Sequence, residues 1–396
     1  LVIIGAGPIG LDAALTARSL GWNVTVFEKG KLAEHVEHWG FVRMFTPFGQ
    51  NVSAMGRSAL EKLRVPVPAD GDCLTGREFA EVYLKPLASS PLLADVIRTH
   101  QTVVGVARLG LLRTDRTADR RRTNPFRVLT RDASGSESST IADVVIDCSG
   151  VYGHGRWLGD GGLPAAGEMA ARAQIASGME DVLGAQRAKY AGKTALVVGA
   201  GYTAATHVAL LAELAETAPE TWVVWLARGP RSQPLVRIAN DPLRERDRIA
   251  ARANALATRG DGNVEFHPSS TLERLVALGQ DKGFQVTARV AGKLRVWDID
   301  RIIASVGYRP DSTLYRELQV GQCPLTEAPL GCVPPLPSSG GLVNGNDADW
   351  GGEPNFFVIG AKSAGRGSQF FLKAGYEQVR QVFARLSAQG RFGGVE

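Results

Sequence analysis

The chain has 396 residues, 44% of them apolar and 21% charged, and carries a formal charge of +5 at neutral pH. A chain of this length builds more than one domain with ample core, and its composition excludes a disordered or fibrous protein. It has no apolar run of the roughly 18 residues a membrane-spanning helix needs, and its basic residues are scattered rather than interleaved with aromatics, which excludes a nucleic-acid surface.

The first stretch, Leu1-Val2-Ile3-Ile4-Gly5-Ala6-Gly7-Pro8-Ile9-Gly10, reads as a buried parallel strand followed by glycines at G-x-G-x-x-G spacing. A helical pattern starts at Leu11 and stops at Gly21. Gly5 makes the tight turn, Gly7 lets the backbone approach a pyrophosphate, and Gly10 lets the helix pack close to the strand. The helix N-terminus offers unpaired N–H groups and a positive dipole end to that anion. Asn23 to Phe27 is a second strand that ends in Glu28 and Lys29. A carboxylate at this place accepts hydrogen bonds from both ribose hydroxyls and repels a 2′-phosphate, so FAD or NAD is expected here rather than NADP.

Lys31 to Ser53 is rich in aromatic residues and broken by Gly and Pro, so it reads as a long loop. A loop leaving the second strand lies over the open cofactor edge. Trp39 and Arg43 are therefore candidates to touch the cofactor, the alternative being a lid plugged by its own aromatics. Thr75 followed by Glu78 forms the signature of a capped helix that carries Phe79, Val82 and Tyr83 on one face. Val96 to Ala107 reads as a strand pair and Phe126 to Leu129 as another strand. Arg120-Arg121-Arg122 sits between them in the polar stretch Arg113 to Asn124, which reads as a solvated hairpin tip. Ala142 to Gly150 is a buried strand running into a glycine turn.

A second dinucleotide pattern starts at Thr194: a strand to Val198, then Gly199-Ala200-Gly201-Tyr202-Thr203-Ala204 and a helix. Its next strand, Trp222 to Leu226, ends in Arg228 and Arg231 where the first unit has an acid. Two guanidinium groups there suit a 2′-phosphate through charge-assisted hydrogen bonds, so NADPH is expected over NADH. A helix over Arg246 to Leu256, a strand at Val264 to His267 and a hairpin turning at Ala291-Gly292-Lys293 follow. Asp300 to Asp311 then repeats the strand-to-glycine pattern of Ala142 to Gly150, an internal duplication of architecture. Cys323 to Glu353 reads as loop, Phe356 to Gly360 as a last buried strand, and Phe370 to Arg380 as the start of a closing helix.

Cys73, Cys148, Cys323 and Cys332 form no C-x-x-C pair and no metal-ligand spacing, which fits a reducing cytoplasm. His35 and His38 have no third ligand, so no metal is expected. The chain opens directly in its first strand, leaving no room for a signal peptide, and the missing Met implies preceding residues. Cys148 reads as a structural residue at the crossover.

In this order the motifs Gly5-x-Gly7-x-x-Gly10, Glu28, Cys148-Ser149-Gly150, Gly199-x-Gly201-x-x-Ala204, Arg228, Gly307-Tyr308-Arg309-Pro310-Asp311 and Phe357 to Gly360 resemble the flavoproteins with two dinucleotide-binding domains. That superfamily includes flavin-containing monooxygenases and thioredoxin-reductase-like enzymes. The resemblance implies an α/β fold of two Rossmann-like domains, the second inserted in the first: an FAD domain over 1–160 and 301–396, and an NADPH domain over 185–300. It implies that Gly5, Gly7, Gly10 and Glu28 hold FAD, with Val103 near the adenine; Pro8, Lys29, Trp39, Arg43 and Gly150 are the further cofactor-binding candidates. Gly360 and the turn to Ser368 and Gln369 would face the flavin. Gly199, Gly201, Thr203, Arg228 and Arg231 would hold NADPH.

The chain departs from the superfamily in three places. The usual Asp after the last strand's glycine is replaced by Ala361-Lys362, the redox C-x-x-C is absent, and the F-x-G-x-x-x-H fingerprint of flavin monooxygenases is missing from Gly162 to Glu168. The activity implied is hydride transfer from NADPH to flavin N5 and on to O2, with oxygenation of a small substrate at nitrogen or sulfur. The alternatives are a reductase of a disulfide, quinone or protein carrier without a cysteine pair, and a non-catalytic redox sensor. Neither nucleic acid nor membrane is expected as a partner, a homodimer is compatible with the sequence, and no catalytic residue is named.

Overall fold

A computed structural model describes residues 1–279, 281–334 and 352–389. Part of the stretch expected as loop between Cys323 and Glu353 lies outside the described residues. The chain divides into two compact units, one made of Leu1–Gly40, Thr46–His154 and Arg309–Glu396, the other of Phe41–Phe45 and Gly155–Tyr308.

The first unit starts with β1 (Val2–Ile4), every residue of it buried. Helix α1 (Pro8–Ser19) follows with Pro at its first turn, where the missing N–H costs nothing. It starts three residues before the apolar pattern does. After β2 (Thr25–Phe27), the stretch expected as a plain loop contains two short helices, α2 (Glu34–His38) and α3 (Phe48–Asn51). Helices of one turn are too short to print a period in the sequence. Helix α4 (Ala54–Lys62) begins where the Ser53 hydroxyl accepts the Gly56 N–H at 2.8 Å.

The box expected at Thr75 forms: Glu78 N–H donates to Thr75 Oγ1 at 3.2 Å and Thr75 N–H to Glu78 Oε2 at 2.7 Å. It opens α5 (Gly76–Phe79), which runs on through a wider π turn into α6 (Lys85–Ala88). Strand β3 (Ile97–Arg98) leads to an antiparallel layer of β4 (Gln101–Arg108), β5 (Phe126–Asp132) and β6 (Glu137–Ala142), then to β7 (Val145–Asp147). Between β4 and β5 lies α7 (Ala118–Thr123), which corrects the solvated hairpin tip. Arg121 is only 3% exposed there, because its guanidinium donates to the buried Glu353 carboxylate.

In the second unit, α8 (Glu168–Ala171), β8 (Ala176–Ser177) and α9 (Arg187–Tyr190) precede β9 (Thr194–Val198). Helix α10 (Tyr202–Thr217), β10 (Trp222–Leu226), α11 (Arg244–Thr258) and β11 (Val264–His267) follow. An antiparallel layer of β12 (Ser270–Ala277), β13 (Phe284–Val290) and β14 (Lys293–Ile299) leads to β15 (Arg301–Ala304). The hairpin turns on Ala291 and Gly292, both at positive φ. Strand β15 pairs in parallel with β9, so residues 301–308, expected with the flanking domain, belong to the second unit.

The chain then returns to the first unit with a ribbon of β16 (Gly321–Gln322) and β17 (Pro329–Leu330), the outer strand β18 (Phe356–Val358), and α12 (Leu372–Ala388) against α1. The two parallel sheets have one plan. Their orders are β3-β2-β1-β7-β18 and β11-β10-β9-β15-β8, each with its first glycine-bearing strand in the centre. Each has a three-stranded antiparallel layer inserted before the crossover strand.

Candidate dinucleotide sites

All pairs in the first sheet are parallel, so the turns after β1, β2, β7 and β18 emerge at one edge. This brings Gly5, Gly7, Pro8, Gly10, Glu28, Gly150 and Gly360 together at the carboxyl ends of the strands, where open α/β sheets take ligands. Gly5 has φ +96°, and a methyl carbon there would lie 2.9 Å from Cys148 O. A methyl carbon on Gly10 would overlap the carbonyl oxygen of Gly5. On Gly7 it would meet nothing within 4 Å. The outer glycines are thus required by the protein's own backbone, while the middle one faces open space. Helix α1 has no side-chain cap, so its first N–H groups remain for an anion.

The Glu28 carboxylate accepts the N–H groups of Ala6 at 2.8 Å and Gly30 at 3.0 Å. That anchors it beside the glycine turn with lone pairs to spare. Gln101 N–H donates to Glu28 O at 2.9 Å, which seats β4 and its half-buried Val103 alongside. The exposed Lys29 has its ammonium 3.5 Å from where a methyl carbon on Gly153 would sit. Trp39 packs its ring against Gly76, and Arg43 lies in the segment that groups with the second unit. Gly150 faces open space, and Ser368 and Gln369 are exposed between β18 and α12.

Two buried polar residues near this edge, Asp12 and Asp147, escaped the sequence reading. Asp12, in α1, is 5% exposed, and burial pushes its carboxyl up to about 6 against the lowering hydrogen bond from Ser53. Asp147 ends β7, and its Oδ2 accepts from Lys362 Nζ at 2.6 Å while its Oδ1 accepts Ser149 N–H at 2.9 Å. The one sequence signal was Lys362 itself, a cation in an otherwise small-residue turn.

The second sheet repeats the construction. Gly199 has φ +140°, and a methyl carbon on it would overlap Ser305 O, whereas one on Gly201 would meet nothing within 4 Å. Helix α10 also lacks a side-chain cap, and Thr203 is half-buried in its first turn. Arg228 and Arg231 are exposed after β10, with no ion pair among the described residues. Arg231 also lines a depression of about 560 Å³ with Ser232, Asn254 and Arg237, the last neutralised by Asp247 at 2.7 Å.

Behind the second glycine turn, His207 is fully buried. Its Nε2 accepts Glu180 N–H at 2.9 Å, which leaves the proton on Nδ1, 3.2 Å from Ser305 Oγ. Burial lowers its pKa from 6.5 to about 4, against a smaller raising effect of Glu180. Between these values the unfolded chain binds the proton and the folded one does not, so acid removes stability from the second unit, by about 3 kcal/mol. Asp12 acts with opposite sign in the first unit, which gains stability as pH falls from about 6 to 3.8. Hydrogen exchange at pH 7 and 4.5 is expected to show protection falling in α10 and not in α1; equal losses in both helices would contradict it.

The model of the pyridine nucleotide-disulphide oxidoreductase family matches residues 2–111. Among solved structures, bacillithiol disulfide reductase from Bacillus cereus superposes with a TM-score of 0.71 at 18% identity, covering 98% of each chain. The FAD-bound cadaverine monooxygenase from Erwinia amylovora gives 0.64 at 15% identity, over 100% of this chain and 95% of the other. Ornithine N-hydroxylase from Kutzneria sp. 744, with reduced FAD, NADP+ and ornithine, gives 0.63 at 14% identity over 98% of each. The fold is that of the flavoproteins with two dinucleotide-binding domains. Comparison with the curated proteins gave no match. No described helix is long and apolar enough to cross a membrane, and among the described residues no group of side chains could hold a metal ion.

Proposed function

We propose that the protein is an FAD- and NADPH-dependent oxidoreductase that oxygenates a small substrate at nitrogen or sulfur. The observation that carries the cofactor assignment is the pair of open glycine cradles with opposite charges beside them. A carboxylate, Glu28, stands next to the first, and two guanidinium groups, Arg228 and Arg231, follow the second. The first selects an unphosphorylated ribose and the second a 2′-phosphate. The N-termini of α1 and α10 hold the two pyrophosphates. Gly150, where a methyl carbon would meet nothing within 4 Å, leaves room for the flavin, while Gly360 packs against the Ile9 side chain. When bound, FAD supplies hydride acceptance at N5 and electron transfer to O2; the protein supplies orientation and electrostatics.

Oxygenation is preferred to reduction of a disulfide because the thiols are not arranged for relay. The four cysteines are free. Burial pushes the Cys148 and Cys332 thiols up, which leaves them protonated. The similar structures include oxygen-inserting enzymes as well as disulfide reductases. The likeness to bacillithiol disulfide reductase supports a second reading, reduction of a disulfide, quinone or carrier. For that, the half-buried Cys323, its pKa lowered by hydrogen bonds from Thr326, is a free thiol. Free thiols fit either reaction in a reducing cytoplasm.

Rapid mixing tests both halves. NADPH is expected to bleach the bound flavin far faster than NADH does, and oxygen then to produce a transient spectrum before the oxidised one returns. Reoxidation without a transient favours the reductase. A flavin that NADPH cannot bleach removes both readings.

A further inference from the structure

At the ligand edge of the first sheet lies an ion pair that the nucleotide contacts do not explain. Asp147 closes β7 opposite Ile4 of β1 on one side and Val358 of β18 on the other, so it sits between the glycine turn and the end of the outer strand. Its side chain is fully buried and that of Lys362 is 1% exposed. The ammonium reaches Asp147 Oδ2 at 2.6 Å and Ser149 Oγ at 3.1 Å, and lies 5.1 Å from the centre of the Tyr315 ring. Burying such a pair gains little stability over a well-packed apolar pair, because desolvation offsets the attraction. Its position decides its role. The backbone carrying Asp147 is the same crossover whose Cys148 carbonyl abuts Gly5.

We propose that Lys362 is a positioning residue that sets FAD affinity and flavin potential at this site, acting through Asp147 and Ser149. An uncompensated carboxylate here would repel the pyrophosphate, and it would oppose the gain of electrons by the ring. The ammonium cancels that charge, and its bond to Ser149 ties the crossover to the turn after β18. Bulk salt screens a buried charge of this kind poorly. The site's response therefore follows the sign of the net charge left on the pair, which a merely structural contact would not do.

This inference rests on the FAD assignment, and the full-length flavin-loaded protein tests it. Lys362→Met leaves one negative charge, Asp147→Asn leaves one positive charge, and the double variant leaves none. The midpoint potential of the bound flavin and the dissociation constant of FAD are measured for each. Lys362→Met is expected to lower the potential and weaken FAD about tenfold. Asp147→Asn is expected to raise the potential while keeping FAD, and the double variant to return both toward wild type. Shifts of the same sign in the two single variants, or an unmoved potential, overturn the assignment. Should Lys362→Met not fold, the opposite shift in Asp147→Asn and its reversal in the double variant decide the matter. Wild type that takes up no FAD sinks the cofactor reading and this proposal together, whereas loaded wild type with sign-independent variants sinks this proposal alone.

Discussion

Gly10→Ala is expected to yield a protein that neither folds stably nor retains FAD, while Gly7→Ala folds normally and fails only to bind. The two glycines stand three residues apart in one turn, yet their surroundings differ. The new methyl at Gly10 would overlap the Gly5 carbonyl, a backbone atom that cannot swing away as a side-chain tip can. Relief requires α1 to move off β1, and α1 carries the fully buried Leu11, Ala13 and Ala14. The cost is about 3 kcal/mol or more. At Gly7 the backbone is at φ −74°, ψ −177°, which alanine adopts freely, and the methyl enters open space. Thermal melting is expected to move by no more than about 0.5 kcal/mol, while FAD binds roughly a hundredfold more weakly because the methyl stands where a pyrophosphate must approach. If Gly7→Ala binds FAD like wild type, the cradle is not the pyrophosphate site.

Glu353→Gln is expected to lose about 3–5 kcal/mol of stability in urea unfolding. Glu353 is 2% exposed and answers two guanidinium groups, Arg108 Nε at 2.8 Å and Arg121 Nη1 at 3.0 Å, as well as the Gln319 N–H at 2.8 Å. The amide keeps the shape but leaves two buried cations without their counter-charge. Arg108 also stacks over Phe126, 3.7 Å from the ring centre, so it cannot turn to solvent without opening the core beneath β5. Glu137→Gln is the control. Its pair with Arg131 is half exposed at 2.7 Å and contributes at most about 1 kcal/mol. Equal losses in the two variants would mean that the buried triad adds nothing.

The parts of the fold legible in the sequence are those where one segment carries its own signal. The strand, glycine turn and helix at Val2–Ser19 and at Thr194–Thr217 follow from apolar runs and close backbone approaches. The Thr75 box follows from two side chains three residues apart. Other elements lacked any such signal. Strand β6 is Glu-Ser-Ser-Thr-Ile-Ala, polar because its outer face is wet, and it is a strand only because β5 pairs with it. Helix α4 buries only Gly56 and Leu60, too few to mark a period.

The candidate sites divide in the same way. Their glycines and terminal charges are local and were read directly. Asp147 with Lys362, and His207 with Ser305, join distant segments, so their chemistry exists only once the sheets have formed. The run at Arg120 to Arg122 shows the limit. Three identical residues in a polar stretch give no hint that Arg121 alone turns inward, since its partner Glu353 lies far along the chain.

The outermost strand of the first sheet, β18, follows the second unit in the chain, whereas nearly all of the second unit is one continuous run, Gly155–Tyr308. During synthesis on the ribosome, the later-starting unit therefore has its whole sheet available while the earlier one still lacks an edge strand and the helix that covers α1. Lys362 emerges between that strand and that helix, and until it does Asp147 waits without its counter-charge. On the cofactor reading proposed above, the flavin site is therefore completed only after the second unit has been synthesised.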